Sequence, residues 1–189
     1  PKLSSLDHML SFRGEFSNPY SLILEEIKSL PKKTMPVTLE CAGNGRSNVT
    51  PRSFSMPWKY GAVGTSEWTG TPLKPLIKKA APKPEVVDIT FTGADRGYDS
   101  GHEHNFARSL TLKQIEELDV LLVYQMNGIP LLPQHGAPLR IIVPGWYGMA
   151  SVKWLTEIKA LNKSFDGYQQ TGTYCFRTTR DEPGIPITD

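Results

Sequence analysis

The chain has 189 residues, 39% of them apolar and 21% charged, and its 21 basic and 19 acidic side chains leave a net charge of +2. That is the composition of an ordinary folded domain, long enough to bury a core without staples. The near-balance of charge argues against a general nucleic-acid surface or a polybasic membrane face, and no apolar run is long enough to span a bilayer.

The 16 prolines and 16 glycines are spread along the chain and cut it into short runs, which favours strands and loops over long helices. No repeat, low-complexity tract or charge block is present. Leu22, Ile23, Ile27 and Leu30 recur at helical spacing and predict a short helix over 21–30, ended by Pro31. Residues 36–41 read as a strand running into the loop Ala42-Gly43-Asn44-Gly45. A helix is expected over 71–81, with Pro72 in its first turn. Residues 86–92 alternate like a strand and stop at Gly93, and 111–118 form a helical turn or two. Residues 120–126 read as a buried strand, followed by Asn127-Gly128, a strong hairpin signal. Apolar strands are expected at 139–143, closed by Pro144-Gly145, and at 152–161. The sum is an α+β, strand-rich fold with many loops, in one domain over 1–189 that looks cropped from a longer chain at both ends.

The segment Leu39-Glu40-Cys41-Ala42-Gly43-Asn44-Gly45-Arg46 carries the sharpest chemistry. A cysteine at the end of a strand sits on rigid backbone, and neighbouring glycines let a large ligand approach the following loop. A thiolate suits a soft metal centre, and Arg46 can bring positive charge that favours the thiolate. Taken alone, Cys41 would read as a buried structural cysteine, since free cysteine is among the most buried residue types. Two cysteines, Cys41 and Cys175, make neither a disulfide framework nor a zinc ribbon. His102 and His104 would share a face in an extended chain, but without zinc-protease spacing the segment reads as a polar loop.

Further pieces follow in order. They are Met56-Pro57-Trp58, Gly61-Ala62-Val63-Gly64, Glu67-Trp68-Thr69-Gly70, Asp95 and Met126-Asn127-Gly128. Next come His135-Gly136-Ala137-Pro138-Leu139-Arg140, Val143-Pro144-Gly145-Trp146-Tyr147-Gly148 and Ser151-Val152-Lys153-Trp154-Leu155. With the cysteine segment, this ordered set resembles the molybdopterin-binding domain of the sulfite oxidase family, from about Gly14 to Tyr174. The resemblance implies molybdenum and molybdopterin as cofactors, with Cys41 as the metal ligand. It places Asp95, His135, Arg140, Ser151, Val152 and Lys153 against the pterin and its phosphate. Convergent cations and donors suit a phosphate-bearing group, and backbone N–H groups of Ser151 and Val152 are expected to add donors. Arg46, Trp58 and Tyr174 match the family's substrate pocket, where a permanent cation anchors a small anionic sulfur substrate. Alone, Arg140 and Lys153 would read as solvated charges, Asp95 as a turn residue, Trp58 as core and Tyr174 as a strand residue.

The implied activity is oxidation of sulfite, or a similar reduced sulfur compound, to sulfate by oxo transfer, with electrons passed to a cytochrome or other acceptor. Gly45 stands where the animal enzymes carry a first arginine, and the family's Phe-x-x-Asn-His-like segment is not found before Gly14. An immunoglobulin-like dimerisation domain would follow in the family, so a homodimer is one expectation. The compartment stays open, the periplasm being favoured over the cytoplasm for a bacterial source. Two other readings stay open: a sulfoxide or nitrate reductase on the same fold, and a cofactor-free binding domain.

Overall fold

The computed structural model describes residues 1–51, 55–99, 101–172, 174–176 and 185–186, with backbone alone for 99, 102, 176, 185 and 186. Two sheets carry the architecture. The first contains β1 (Met9–Gly14), β2 (Tyr20–Ile23), β5 (Asp88–Asp99), β6 (His102–Thr111) and β10 (Leu155–Leu161), in the order β2-β1-β10-β5-β6. Its strands pair antiparallel except for β1 against β10, which are parallel. The second runs β3 (Lys33–Glu40), β4 (Val63–Pro72), β7 (Leu121–Met126) and β8 (Ile129–Pro130), with β9 (Arg140–Ile142) paired to β7. A short pair, β11 (Cys175–Phe176) and β12 (Ile185–Pro186), lies apart. Among the described residues there are three short α-helices: α1 (Leu24–Ser29), α2 (Leu73–Ala80) and α3 (Leu112–Glu117).

Side-chain alternation explains how the second sheet carries two cores. Along β7, Leu122 and Tyr124 join the main core while Leu121 and Val123 face a smaller one, and β9 divides Ile141 from Ile142 in the same way. A period of two places successive residues on opposite faces of a sheet. The main core also takes Phe12 from β1, Phe91 from β5, Leu110 from β6 and Ile158 from β10. In α2, Leu73, Leu76, Ile77 and Ala80 form one buried stripe. Its end is set by Ala81 in the left-handed region at φ 56°, with Lys78 and Lys79 in the last turn, where cations oppose the helix dipole. The start of α3 is fixed by a capping box: the Gln114 N–H donates to Thr111 Oγ1 at 3.2 Å, and the Thr111 N–H donates to Gln114 Oε1 at 2.8 Å. At Gly70, beside a register shift between β4 and β7, a Cβ would lie 2.1 Å from the Leu122 carbonyl oxygen. Only a residue without a side chain allows that approach.

The elements expected over 71–81, 111–118, 120–126 and 139–143 recur within two residues at each end, and five differ. The strand expected over 36–41 begins earlier, at Lys33, and ends at Glu40. The expected helix over 21–30 begins only at Leu24, because 20–23 pair with β1 as an edge strand. The strand expected to stop at Gly93 continues to Asp99 through a bulge between Thr92 and Arg96. Residues 152–154 stay outside β10, which starts at Leu155. The segment read as a polar loop at His102–His104 is the start of β6, and the side chain of His102 lies outside the described residues. Among the described residues, no helix is long and apolar enough to cross a membrane.

Candidate cofactor and substrate site

Six stretches of chain converge on one cavity of about 340 Å³, lined by Leu39, Glu40, Cys41, Asp95, Phe106, Arg140, Gly148, Met149, Ser151, Lys153 and Tyr174. Six of the ten residues singled out in the sequence lie on its wall: Cys41, Asp95, Arg140, Ser151, Lys153 and Tyr174.

Cys41 directly follows β3, and its N–H extends the ladder by one step, donating to the Ala62 carbonyl at 2.9 Å. Asn44 folds the loop back: its amide donates to Glu40 Oε1 at 2.8 Å while its side-chain oxygen accepts from the Ala62 N–H at 3.0 Å. The thiol is half-buried and accepts from the Gly43 N–H at 3.4 Å. Cys41 also lines a second hollow of about 460 Å³ with Thr38, Glu40, Ala42, Asn44, Gly145, Trp146 and Tyr147. The cysteine therefore stands where two hollows meet.

Asp95 owes its direction to the bulge in β5. Extra residues opposite one partner re-aim the side chains on the bulged strand, and here Ala94 donates to the Trp154 carbonyl at 2.8 Å beside Lys153. A Cβ on Gly93 would come within 2.2 Å of Asp95 Oδ1 and 2.6 Å of the Lys153 carbonyl, so a glycine is needed there. Burial pushes the Asp95 carboxyl above its ordinary pKa, opposed by its own backbone N–H and by the Lys153 ammonium.

Arg140 opens β9 and is 5% exposed. Its Nη1 donates to the His135 carbonyl at 2.9 Å and its Nη2 to the Ser151 carbonyl at 2.8 Å, with the guanidinium carbon 5.0 Å from the Trp68 ring centroid. Burial lowers its pKa to about 10. Lys153 is half-buried, donates to the Gln134 carbonyl at 3.0 Å and lies 4.2 Å from the Trp154 ring centroid. Its pKa is lowered by burial and by the neighbouring Arg140, against the pull of Asp95. Neither cation forms an ion pair among the described residues.

A buried polar tie positions Tyr174. Asp88 Oδ2 accepts from Ser109 Oγ at 3.1 Å and from the Phe165 N–H at 2.8 Å. Gln170 both accepts from the Ser109 N–H at 3.0 Å and donates to Ser109 Oγ at 2.7 Å. These bonds hold the turn Tyr168–Gly172 against β5 and β6, and bring Tyr174 to the cavity wall.

The other four sequence-predicted residues stand off the wall. His135 sits in a 3-10 turn and contributes its carbonyl to Arg140. Val152 is 1% exposed in the main core. The N–H groups of Ser151 and Val152, expected as free donors, bond instead to the carbonyls of Gly148 and Ala150, both at 3.1 Å. The part Ser151 plays is different: its hydroxyl accepts from the Val143 N–H at 3.0 Å, and its carbonyl takes Arg140. Arg46 packs its guanidinium over Gly43, where a Cβ would meet Nη2 at 2.2 Å, and donates to Ser55 Oγ at 2.7 Å and the Met56 carbonyl at 3.3 Å. Trp58 is 45% exposed, with its carbonyl bound to the Ser47 N–H at 3.0 Å. Missing from the sequence reading were Phe106 and Met149 on the wall. Tyr147, in the neighbouring hollow, and Arg108 behind it were missed as well. The alternation Phe106, Arg108, Leu110 was a signal that an arginine points inward from a strand.

Two polar atoms of the cavity residues, Asp95 Oδ1 and Arg140 Nε, are buried and have no hydrogen-bond partner among the described residues. Buried polar groups are nearly always paired, so an acceptor and a donor here are set for a ligand. A guanidinium and an ammonium that form no ion pair among the described residues suit a phosphate, a carboxylate suits ring N–H groups, and a half-buried thiol suits a soft metal. The residues fit a phosphate-bearing, metal-carrying cofactor.

The comparisons with known proteins agree. The sequence profile of the oxidoreductase molybdopterin binding domain matches residues 1–169. The mitochondrial sulfite oxidase of Drosophila melanogaster is 35% identical over 179 residues, covering 92% of this chain and 30% of that protein. An NADH nitrate reductase of Ulva prolifera is 32% identical over 170 residues, covering 86% of this chain and 20% of that one. Among solved structures, the sulfane dehydrogenase SoxCD from Paracoccus pantotrophus superposes with a TM-score of 0.82 at 27% identity, covering 97% of this chain and 46% of that chain. The chain thus spans less than half the length of each of these relatives. On its fold, its cavity and these matches, the chain belongs to the oxidoreductase molybdopterin-binding domain family, whose members include sulfite oxidases and nitrate reductases.

Proposed function

We propose that this domain holds a molybdenum–molybdopterin cofactor with Cys41 as the metal's thiolate ligand, and oxidises sulfite or a related reduced sulfur anion. One observation carries the reading: a single cavity wall brings together the strand-end thiol, two cations that form no ion pair, and an Asp95 Oδ1 and Arg140 Nε that have no hydrogen-bond partner, all among the described residues. Among the described residues, no three His, Cys, Asp or Glu converge on a metal site. A metal at Cys41 would take its remaining ligands from a cofactor. When bound, that cofactor supplies two-electron redox chemistry and oxygen-atom exchange with the substrate.

The chain's own residues bind, orient and screen. Arg140 and Lys153 would meet the cofactor's phosphate, with His135 and Ser151 fixing the Arg140 fork through their carbonyls. Asp95 would accept from ring N–H groups through Oδ1. Val152, locked in the core, sets the backbone on which Ser151 and Lys153 stand. Arg46 would draw the substrate anion toward the cysteine loop, Trp58 would border its path, and Tyr174 would donate its hydroxyl proton to a substrate oxygen. Electrons would leave to a cytochrome or another carrier, and a homodimer is the expected assembly by analogy with the family. The nitrate reductase relative, nearly as similar as the sulfite oxidase, favours one alternative: the same cavity working in the reducing direction on nitrate.

Protein made in a host that assembles the cofactor should contain molybdenum and show the visible absorption of the loaded centre. Cys41→Ala should abolish turnover of sulfite, and a purified variant with full turnover and normal metal content would end the reading. Parallel assays with sulfite plus an electron acceptor, and with nitrate plus a reductant, fix the direction.

A further inference from the structure

One buried cation takes no part in the reading above. Arg108 lies on β6 and is 1% exposed. Its Nη1 donates to the Gln169 carbonyl and its Nη2 to the Tyr147 hydroxyl, while Nε has no partner among the described residues. No carboxylate forms an ion pair with it among the described residues. Burying a guanidinium without a counterion is costly, and an apolar side chain of similar length would fill the space at less cost. A site that keeps such a charge uses its field.

The field falls on two phenols. The Arg108 guanidinium carbon is 5.4 Å from the Tyr147 ring centroid, and the Tyr147 and Tyr174 rings stack at 6.3 Å with 21° between planes. Tyr147 lines one of the hollows that meet at Cys41, and Tyr174 lines the other. Because the Tyr147 oxygen accepts from a cation, its own O–H is left to donate, and the polarised phenol is a stronger donor. Burial pushes the Tyr147 phenol above its ordinary pKa, and Arg108 works against that shift.

We propose that Arg108 is a positioning residue which holds Tyr147 beside Cys41 as a hydrogen-bond donor to small oxyanions, and so sets the domain's preference for that substrate class. This rests on the reading that Cys41 marks the reacting centre. Arg108 does not reach the cavity itself, so it acts through the phenol.

The test uses the full chain with tyrosine labelled by ¹³C at Cζ, the Tyr147 resonance being assigned with Tyr147→Phe. Sulfate is the probe, and neither cofactor nor turnover is required. Sulfate should move the Tyr147 resonance saturably, Arg108→Met should raise the midpoint about tenfold or more, and Arg108→Lys should recover most of the response. A Tyr147 resonance that ignores sulfate in the parent, or answers it equally in Arg108→Met, overturns the proposal. The parent and the Lys variant still decide it if the Met variant fails to fold. In molybdenum-loaded protein, Arg108→Met should raise the KM for sulfite about tenfold, with kcat and metal content little changed. Loss of kcat at unchanged KM would make Arg108 a structural strut and overturn the proposal too. If the parent holds molybdenum but does not oxidise sulfite, the substrate reading above fails, while the sulfate response still decides Arg108.

Discussion

Cations on the outside of this domain and cations around its cavity keep different company. Outside, Lys28 meets Glu25, Lys33 meets Asp119, Lys74 meets Glu116, Lys83 meets Glu15 and Arg96 meets Glu103, with side chains from 33% to 71% exposed. Inside, Arg108, Arg140 and Lys153 bond only to carbonyls and one phenol among the described residues. Stability alone would favour the reverse, because an exposed pair is screened and worth little, whereas a buried charge needs a partner. The inversion shows where negative charge has been kept away: a carboxylate against Arg140 would neutralise the very feature that draws an anionic group into the cavity. Two acids, Glu40 and Asp95, lie on that wall; Glu40 is engaged by the Asn44 amide, and neither forms an ion pair within 4.0 Å among the described residues.

The strongest way to break this contrast is to remove the inner charge. Arg140→Met should weaken cofactor retention about 100-fold, the worth of one to two charge-assisted hydrogen bonds. Molybdenum per protein after dialysis against graded chelator measures it, alongside the melting temperature of the cofactor-free form. Retention equal to the parent's would mean that the phosphate is held elsewhere. A loss of melting temperature as large as the loss of retention would make Arg140 a structural tie between the His135 and Ser151 carbonyls.

A milder test leaves the sequence untouched. If the inner cations form an anion cradle, inorganic phosphate should stabilise the cofactor-free protein where chloride of equal ionic strength does not. At ten times its Kd, one bound phosphate adds about 1.4 kcal/mol, which for a domain of this size raises Tm by about 3–6 °C. Thermal melts in the two salts read it directly. Equal melting temperatures would show that the unpaired charges are no cradle, whatever their geometry.

How much of this was legible in the sequence depends on the kind of signal. Cys41 was legible because a strand and a glycine loop announce themselves locally, and the structure places the thiol at the junction they predict. The direction of Asp95 was not, because the strand was expected to stop at Gly93. A bulge is a property of two paired strands, and the pairing of β5 with β6 and β10 is written in no single stretch. Likewise, Ser151 and Val152 looked like free backbone donors beside a glycine-bearing turn. Their N–H groups turn out to be spent inside the next turn, and it is the Ser151 carbonyl that matters. Arg108 was passed over because an arginine reads as surface by default, a prior that outweighed the apolar Phe106 and Leu110 at strand spacing around it, and packing leaves it 1% exposed. Helix α1 shows the same limit for local structure: Leu22 and Ile23 fit helical spacing, yet β1 recruits them as an edge strand.

The smallest expected effect sharpens the contrast from the outer side. In α1, Lys28 Nζ lies 2.7 Å from Glu25 Oε1, a charge-assisted hydrogen-bond distance, with side chains 39% and 71% exposed. Distance alone would rank this contact above anything Arg140 makes. Solvent screening and the entropy of holding two long side chains reverse that ranking, so Lys28→Met should change stability by no more than about 0.5 kcal/mol. The effect should shrink further in high salt, since charges in water are screened within a Debye length. Urea melts at low and high salt measure both. A loss several times larger, unmoved by salt, would mean that the outer pairs carry stability the exposed geometry denies them, and the distinction between paired surface and open cavity would lose its energetic basis.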